Sequence, residues 1–243
     1  MKRLVMSAIF AAAVSVVPAA NAAPVKKAAP AKRAPARPDW VRTVVRTPEG
    51  GLRMGNPAAK VKLIEYGART CPTCAAFAVN GAPLLTKSYV ATGQVSFEFR
   101  DYPIHGAIDL APILLGHCVP DRAFFPLLEA MMANQRALIG RDAEIPKVKQ
   151  DELQKLAPNA VAAYLGKFYG YTDFVVKAGL PVARATACLA DRKALDAIVA
   201  HTAAANKTYT IPGTPTFIVN GTVADKVSDW AGLEPVLRAA GAK

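Results

Sequence analysis

The feature of this 243-residue chain that most constrains its fold is the segregation of its hydrophobic periodicities: strand-like patterns lie towards both ends, and a long helical block separates them. "AKVKLIEYG" (Ala59 to Gly67) is a short, largely apolar run ending at a glycine, as a buried strand does. In "QVSFEFRDYP", Val95, Phe97 and Phe99 alternate with Ser96, Glu98 and Arg100, which predicts a second strand with the first set inward, the second outward, and a stop at Pro103. Between the two, "CAAFAVNGAPLLTKSYVATG" begins as a helix and is expected to bend or break at Gly81-Ala82-Pro83. From Ala107 to about Thr208 the chain is a series of alanine- and leucine-rich helical segments punctuated by Gly, Pro and Asp. A strand returns in "TPTFIVNG", whose Asn220-Gly221 is a hairpin signal with "TVADKV" as partner; "SDWAGLEPVLRAAG" then closes as a helix capped by Ser228 or Asp229. No internal repeat is present.

The formal charge of +12 and sequence pI near 9.7 suggest a nucleic-acid binder until the charge is located. Seven basic residues (Lys2, Arg3, Lys26, Lys27, Lys32, Arg33 and Arg37) precede the first acidic residue, Asp39. The remainder carries an ordinary solubility charge with no basic cluster interleaved with aromatics, which argues against nucleic acid as a partner. Residues 1–22 combine a basic start, an apolar run from Leu4 to Val17 and the small-x-small end Ala20-Asn21-Ala22, the pattern of a signal peptide cleaved after Ala22. That run falls short of the roughly 20 residues of a membrane-spanning helix. The expectation is export to a bacterial periplasm, where disulfides persist, with the protein not embedded in the membrane. Residues 23–38, "APVKKAAPAKRAPARP", have the composition of an extended, self-repelling linker.

Four cysteines, Cys71, Cys74, Cys118 and Cys188, are too few to be the main scaffold of a chain this long, and an even number in an oxidising compartment reads as two pairs. Cys71-Pro72-Thr73-Cys74 opens a helix directly after a strand and a small turn. A cysteine there has its thiolate stabilised by unpaired backbone N–H groups and the helix dipole, and Cys74 lies one turn behind it. The spacing suits a nucleophile with a resolving partner; a structural staple, a zinc site or a copper site would use the same two residues. Zinc lacks its other ligands, since His105, His117 and His201 show no matching spacing.

The surrounding residues add to the motif. Glu65 is an acidic residue in an apolar strand six positions before Cys71, and Pro215 stands at the entry of a late strand after Thr214. Together with the order of elements, this resembles the thioredoxin superfamily, and most closely the DsbA-like periplasmic thiol:disulfide oxidoreductases, over roughly Gly51 to Ala240. The resemblance implies an α/β thioredoxin fold with a large inserted all-helical domain: residues 39–106 and 209–243 form the thioredoxin domain and residues 107–208 the insertion. It implies that Cys71 is the exchanging sulfur, that Cys74 resolves, and that Glu65 moves a proton to and from Cys74, with Arg100 on the neighbouring strand as a candidate charge partner of Glu65. Pro72, Thr73, Thr214 and a cis Pro215 would border the substrate, which would pair with the backbone of Thr214 as an added strand. Cys118 and Cys188 match a second, structural disulfide of some relatives.

The implied activity is exchange of the Cys71–Cys74 disulfide with cysteines of exported proteins, needing no bound cofactor and no metal. Direction is less determined. The strongest oxidants of the family carry a histidine between the cysteines, where this chain has Thr73, so a potential between roughly −270 and −120 mV is expected. The absence of a dimerisation module before Asp39 favours a monomeric oxidase recharged by a DsbB-like membrane partner. A reductase or isomerase, and a copper-handling or other binding module using the cysteines as a soft-metal site, are the alternatives. The stripe Phe124, Phe125, Leu127, Leu128, Met131 and Met132 reads as core, and His105 as a structural histidine that could face the active site.

Overall fold

A computed structural model describes residues 38–139 and 145–243. The signal-peptide segment and all of the linker except Pro38 lie outside the described residues. Residues 38–243 form one compact unit built on a mixed six-stranded sheet. Its strands are β1 (Val44–Arg46), β2 (Leu52–Met54), β3 (Val61–Gly67), β4 (Val95–Asp101), β5 (Thr216–Val219) and β6 (Thr222–Val223), in the order β1-β2-β4-β3-β5-β6. β3 and β4 run parallel and every other pair is antiparallel. The parallel pair needs a crossover, supplied by α1 (Pro72–Asn80) and α2 (Ala82–Leu85), which continues as a π-helical turn over Thr86–Val90.

The helix interruption falls where Gly81 and Pro83 predict it. A Cβ at Gly81 would come within 2.6 Å of the Phe77 ring, and Pro83 has no N–H to extend the ladder of α1. The hairpin at Asn220-Gly221 has positive φ at both residues (48° and 85°), the backbone a two-residue turn of this hand requires. α11 (Trp230–Ala239) is capped by Asp229, whose carboxylate accepts from the Gly232 N–H at 2.9 Å.

The described residues of the segment 107–208 form eight helices: α3 (Ala107–Gly116), α4 (Asp121–Ala133), α5 (Gln135–Ile139), α6 (Lys147–Leu153), α7 (Pro158–Phe168), α8 (Tyr171–Lys177), α9 (Val182–Ala190) and α10 (Arg192–Thr208). Most of them enclose a core of their own around Leu115, Tyr171, Val175 and Leu189. α4 is shared. Its Leu127 and Met131 belong to that core, whereas Phe124, Phe125, Leu128 and Met132 pack into the sheet core beside Phe97, Phe99 and Phe77. The aromatic and methionine stripe is therefore core on two sides. Cys118, just beyond α3, is disulfide-bonded to Cys188 of α9, with Cα atoms 6.1 Å apart.

Two sequence expectations need correction. Ser96 and Glu98 do not face solvent: both are buried, because β4 is an interior strand and the second face of the sheet is covered as well, with Ala205 of α10 packed among Tyr66 and Ile218. Glu98 is accommodated by a hydrogen bond from the Thr47 hydroxyl (2.6 Å) and an ion pair with Arg100 (2.7 Å). Arg100, in turn, is not the partner of Glu65. The β3/β4 register sets Glu65 beside Phe99 and Arg100 beside Tyr66, so the two side chains project to opposite faces. Strands β1 and β2 were not anticipated; three residues are too few to show an alternation.

Candidate active site

The loop from Ala68 to Cys71 carries the chain from the C-terminal end of β3 into α1. Cys71 is the N-cap residue of α1 in extended conformation (φ −79°, ψ 121°), and Pro72 occupies the first turn, where a missing N–H is harmless. The two sulfurs are free thiols in unequal surroundings. Cys71 retains 7% of its surface and Cys74 none, while Pro72 and Thr73 are exposed beside them.

Across from Cys71 lies the turn before β5, where the Thr214–Pro215 peptide is cis and Pro215 is buried. The Cys71 thiol donates to the Thr214 carbonyl at 3.1 Å. The Thr214 hydroxyl is buried and has no hydrogen-bond partner among the described residues. The Cys71 thiol is brought down to about 5, first by the hydrogen bond from Cys74, then against the opposing effect of burial by the Thr214 hydroxyl and the backbone N–H groups of Cys74 and Thr73. Cys74 moves far upward, because it donates to Cys71, is buried and faces the negative charges of Glu65 and Cys71. The surroundings thus favour the thiolate at Cys71 and the protonated thiol at Cys74.

Glu65 lies on β3 with 3% of its surface exposed, and burial, helped by the Cys71 and Asp101 charges, pushes its carboxyl up to about 8. A carboxyl with that affinity can exchange a proton near neutrality. Of the residues singled out in the sequence, Cys71, Cys74, Glu65, Pro72, Thr73, Thr214 and Pro215 are brought to one end of the sheet; Arg100 is directed away, and Cys118–Cys188 belongs to the helical core.

The sequence reading missed a buried polar framework under the same loop. Arg69 is completely buried and makes a bidentate pair with Asp101 at the end of β4 (2.7 and 3.1 Å), stacking over Phe124 at 5.0 Å. His117 Nε2 approaches the Asp101 carboxylate at 2.8 Å and its Nδ1 meets Arg46 at 3.2 Å. Burial opposes the Asp101 charge, but Arg69 and His117 hold the carboxyl down at about 2. Next to Cys71, the buried Thr70 hydroxyl donates to Asp109 at 2.5 Å and meets His105 Nδ1 at 2.7 Å. His105 therefore faces the active-site loop through Thr70. The available signal was positional: Arg69 follows the end of β3 by two residues and Asp101 closes the parallel strand β4 at the same end, where loop residues converge.

Among the described residues no three His, Cys, Asp or Glu side chains converge as a metal site, and no helix is long and apolar enough to cross a membrane.

A cysteine pair at a helix N-terminus, opposed by a proline loop on a mixed sheet, defines a thioredoxin-fold dithiol protein, here with helices 107–208 between the two β portions. The Thioredoxin family model matches residues 47–239, and the chain belongs to that family. A protein provisionally named protein-disulfide oxidoreductase in Rickettsia bellii is 26% identical over 180 residues, 74% of this chain and 61% of the relative. A counterpart in Rickettsia prowazekii is 26% identical over 181 residues, 74% of this chain and 58% of the relative. The chain thus spans about three-fifths of the length of these curated relatives. The crystal structure of a protein-disulfide isomerase from Novosphingobium aromaticivorans superposes with a TM-score of 0.73 at 28% identity, covering 78% of this chain and 96% of that one. Wolbachia pipientis alpha-DsbA1 shares the fold, with a TM-score of 0.60 at 20% identity over 77% of this chain and 89% of that one.

Proposed function

We propose that this chain is an exported thiol–disulfide oxidoreductase that donates its Cys71–Cys74 disulfide to cysteine pairs of proteins folding in the periplasm. The observation that carries the reading is the asymmetry of the pair: Cys71 is stabilised as a thiolate and Cys74 is not. A stabilised thiolate is a good leaving group and stabilises the reduced form, which makes the disulfide oxidising. A substrate thiolate attacks Sγ of Cys71; the Cys71–Cys74 bond breaks, the new mixed disulfide forms, and Cys74 leaves as a thiolate that takes a proton from Glu65. A second substrate thiolate then attacks the substrate sulfur of the mixed disulfide. The substrate leaves oxidised by two electrons, and the enzyme leaves as the dithiol with Cys71 ionised. A membrane electron acceptor of the DsbB kind would restore the disulfide, and the protein acts as a monomer.

The deciding experiment is equilibration of residues 23–243 with glutathione buffers, following thiol state by mass. A potential near or above about −150 mV supports a disulfide donor, and one below about −220 mV reverses the direction. The reverse direction is the second reading, favoured by the name of the Novosphingobium structure: there the Cys71 thiolate attacks a substrate disulfide and Cys74 releases it. Cys74→Ser tests the shared chemistry. It should trap mixed disulfides through Cys71, and stoichiometric Cu(I) binding without trapped partners would instead assign the pair to metal handling.

A further inference from the structure

Gln135 opens α5, on the helical side of the molecule, yet its side chain reaches the active-site loop. It is 6% exposed, and its carboxamide nitrogen donates to two backbone carbonyls, that of Arg69 at 3.0 Å and that of Cys71 at 2.9 Å. An amide NH2 has two hydrogens, and these two acceptors take both. The carbonyls flank Thr70, so one side chain grips the loop at two points immediately before the helix. Among the described residues Gln135 is the sole donor to the Arg69 carbonyl. The Cys71 carbonyl has a second donor, the Ala75 N–H at 3.0 Å, which closes the first turn of α1.

We infer that Gln135 is a positioning residue of the exchange reaction: by fixing the Arg69–Thr70 and Cys71–Pro72 peptide planes, it holds the sulfur of Cys71 in front of the amide groups that stabilise its thiolate. The physical reason is directional. The Cys71 backbone orients its own carbonyl and its own side chain together, because the two share one Cα. With the carbonyl pinned by Gln135 and Ala75, Sγ is presented to the N–H groups of Thr73 and Cys74 and to Thr214. The same bond places the positive end of the amide dipole near the reacting cysteine. Without it the Arg69 carbonyl is left buried with no donor, and the loop turns to find one. Helices 107–208 thereby contribute to the chemistry of a cysteine that lies outside them. The inference rests on Cys71 as the exchanging sulfur and is independent of the direction of flux.

Gln135→Met tests it, since methionine matches the length of glutamine and donates no hydrogen bond. The readouts are the pH midpoint of Cys71 alkylation by iodoacetamide and the equilibrium constant with glutathione. The midpoint should rise by roughly half to one pH unit, and the equilibrium should shift about three- to tenfold towards the disulfide, tenfold corresponding to about 30 mV. A folded variant with both quantities within about twofold of wild type would overturn the inference while leaving the exchange reading intact. Failure of Cys74→Ser to trap mixed disulfides through Cys71 would instead overturn the exchange reading. If Gln135→Met does not fold, the Gln135 side-chain amide resonances in the wild-type protein decide: a shift tracking the Cys71 titration supports the clamp, and a flat response refutes it.

Discussion

Replacement of Glu65 by glutamine should change the pH dependence of stability in a calculable way. The carboxyl is taken from its ordinary 4.5 to about 8 by burial, with smaller contributions from Cys71 and Asp101. A group whose affinity for a proton rises on folding favours the native state fully below its unfolded pKa and loses that contribution as pH rises through its folded pKa. The wild-type reduced protein should therefore lose stability from pH 4.5 upward at up to about 1.4 kcal/mol per pH unit from this group alone, some 3 kcal/mol by pH 7. Above pH 8 the loss levels off. Glutamine occupies the same volume and does not titrate, so in Glu65→Gln this slope disappears, whatever constant offset the new amide brings. Urea denaturation of both proteins at pH 4.5, 6, 7 and 8, kept reduced, measures it directly. In the disulfide form the Cys71 charge is gone and the slope should be shallower. A wild-type-minus-variant difference constant to within about 0.5 kcal/mol over that range would refute the reasoning, because it would mean Glu65 is solvated in the native state.

Alkylation of the reduced protein by iodoacetamide should show a Cys71 midpoint near pH 5, with Cys74 unreactive throughout; a midpoint above 8 would remove the case for a stabilised thiolate. Asp101→Asn leaves the buried Arg69 guanidinium without its counter-charge and should destabilise by roughly 3–4 kcal/mol in urea titration, with less than about 1 kcal/mol showing that water reaches the pair. Replacing Cys118 and Cys188 together by alanine opens a cross-link between positions 70 residues apart and should reduce stability by roughly 4 kcal/mol, leaving the Cys71 alkylation profile in place.

The parts of the fold that were legible in the sequence are those whose signals are local. β3, the helix opened by Cys71, the break at Gly81–Pro83, the Asn220-Gly221 hairpin and the Asp229 cap each follow from a few adjacent residues and a steric rule. What escaped depends on register. Whether Arg100 can reach Glu65 is decided by which residue of β4 lies beside which residue of β3, and a single step of pairing sends the two to opposite faces. Glu98 looked exposed because alternation in one strand says nothing of what covers the other face. Gln135 and the Arg69–Asp101 pair join positions 66 and 32 residues apart; the place of Arg69 and Asp101 at the same end of two adjacent strands hints at their pairing, whereas nothing near Gln135 marks its distant acceptors.

The shared position of α4 sets a limit on modularity. A helix that gives Phe124, Phe125, Leu128 and Met132 to one core and Leu127 and Met131 to the other cannot be removed with its neighbours as a cassette. Excision of residues 107–208 would strip aromatic cover from Phe97 and Phe99 and leave the sheet with a raw apolar surface. The helical portion and the sheet should therefore melt as a single cooperative unit, and a minimal dithiol domain cut from this chain would need a new partner for that face before it could fold.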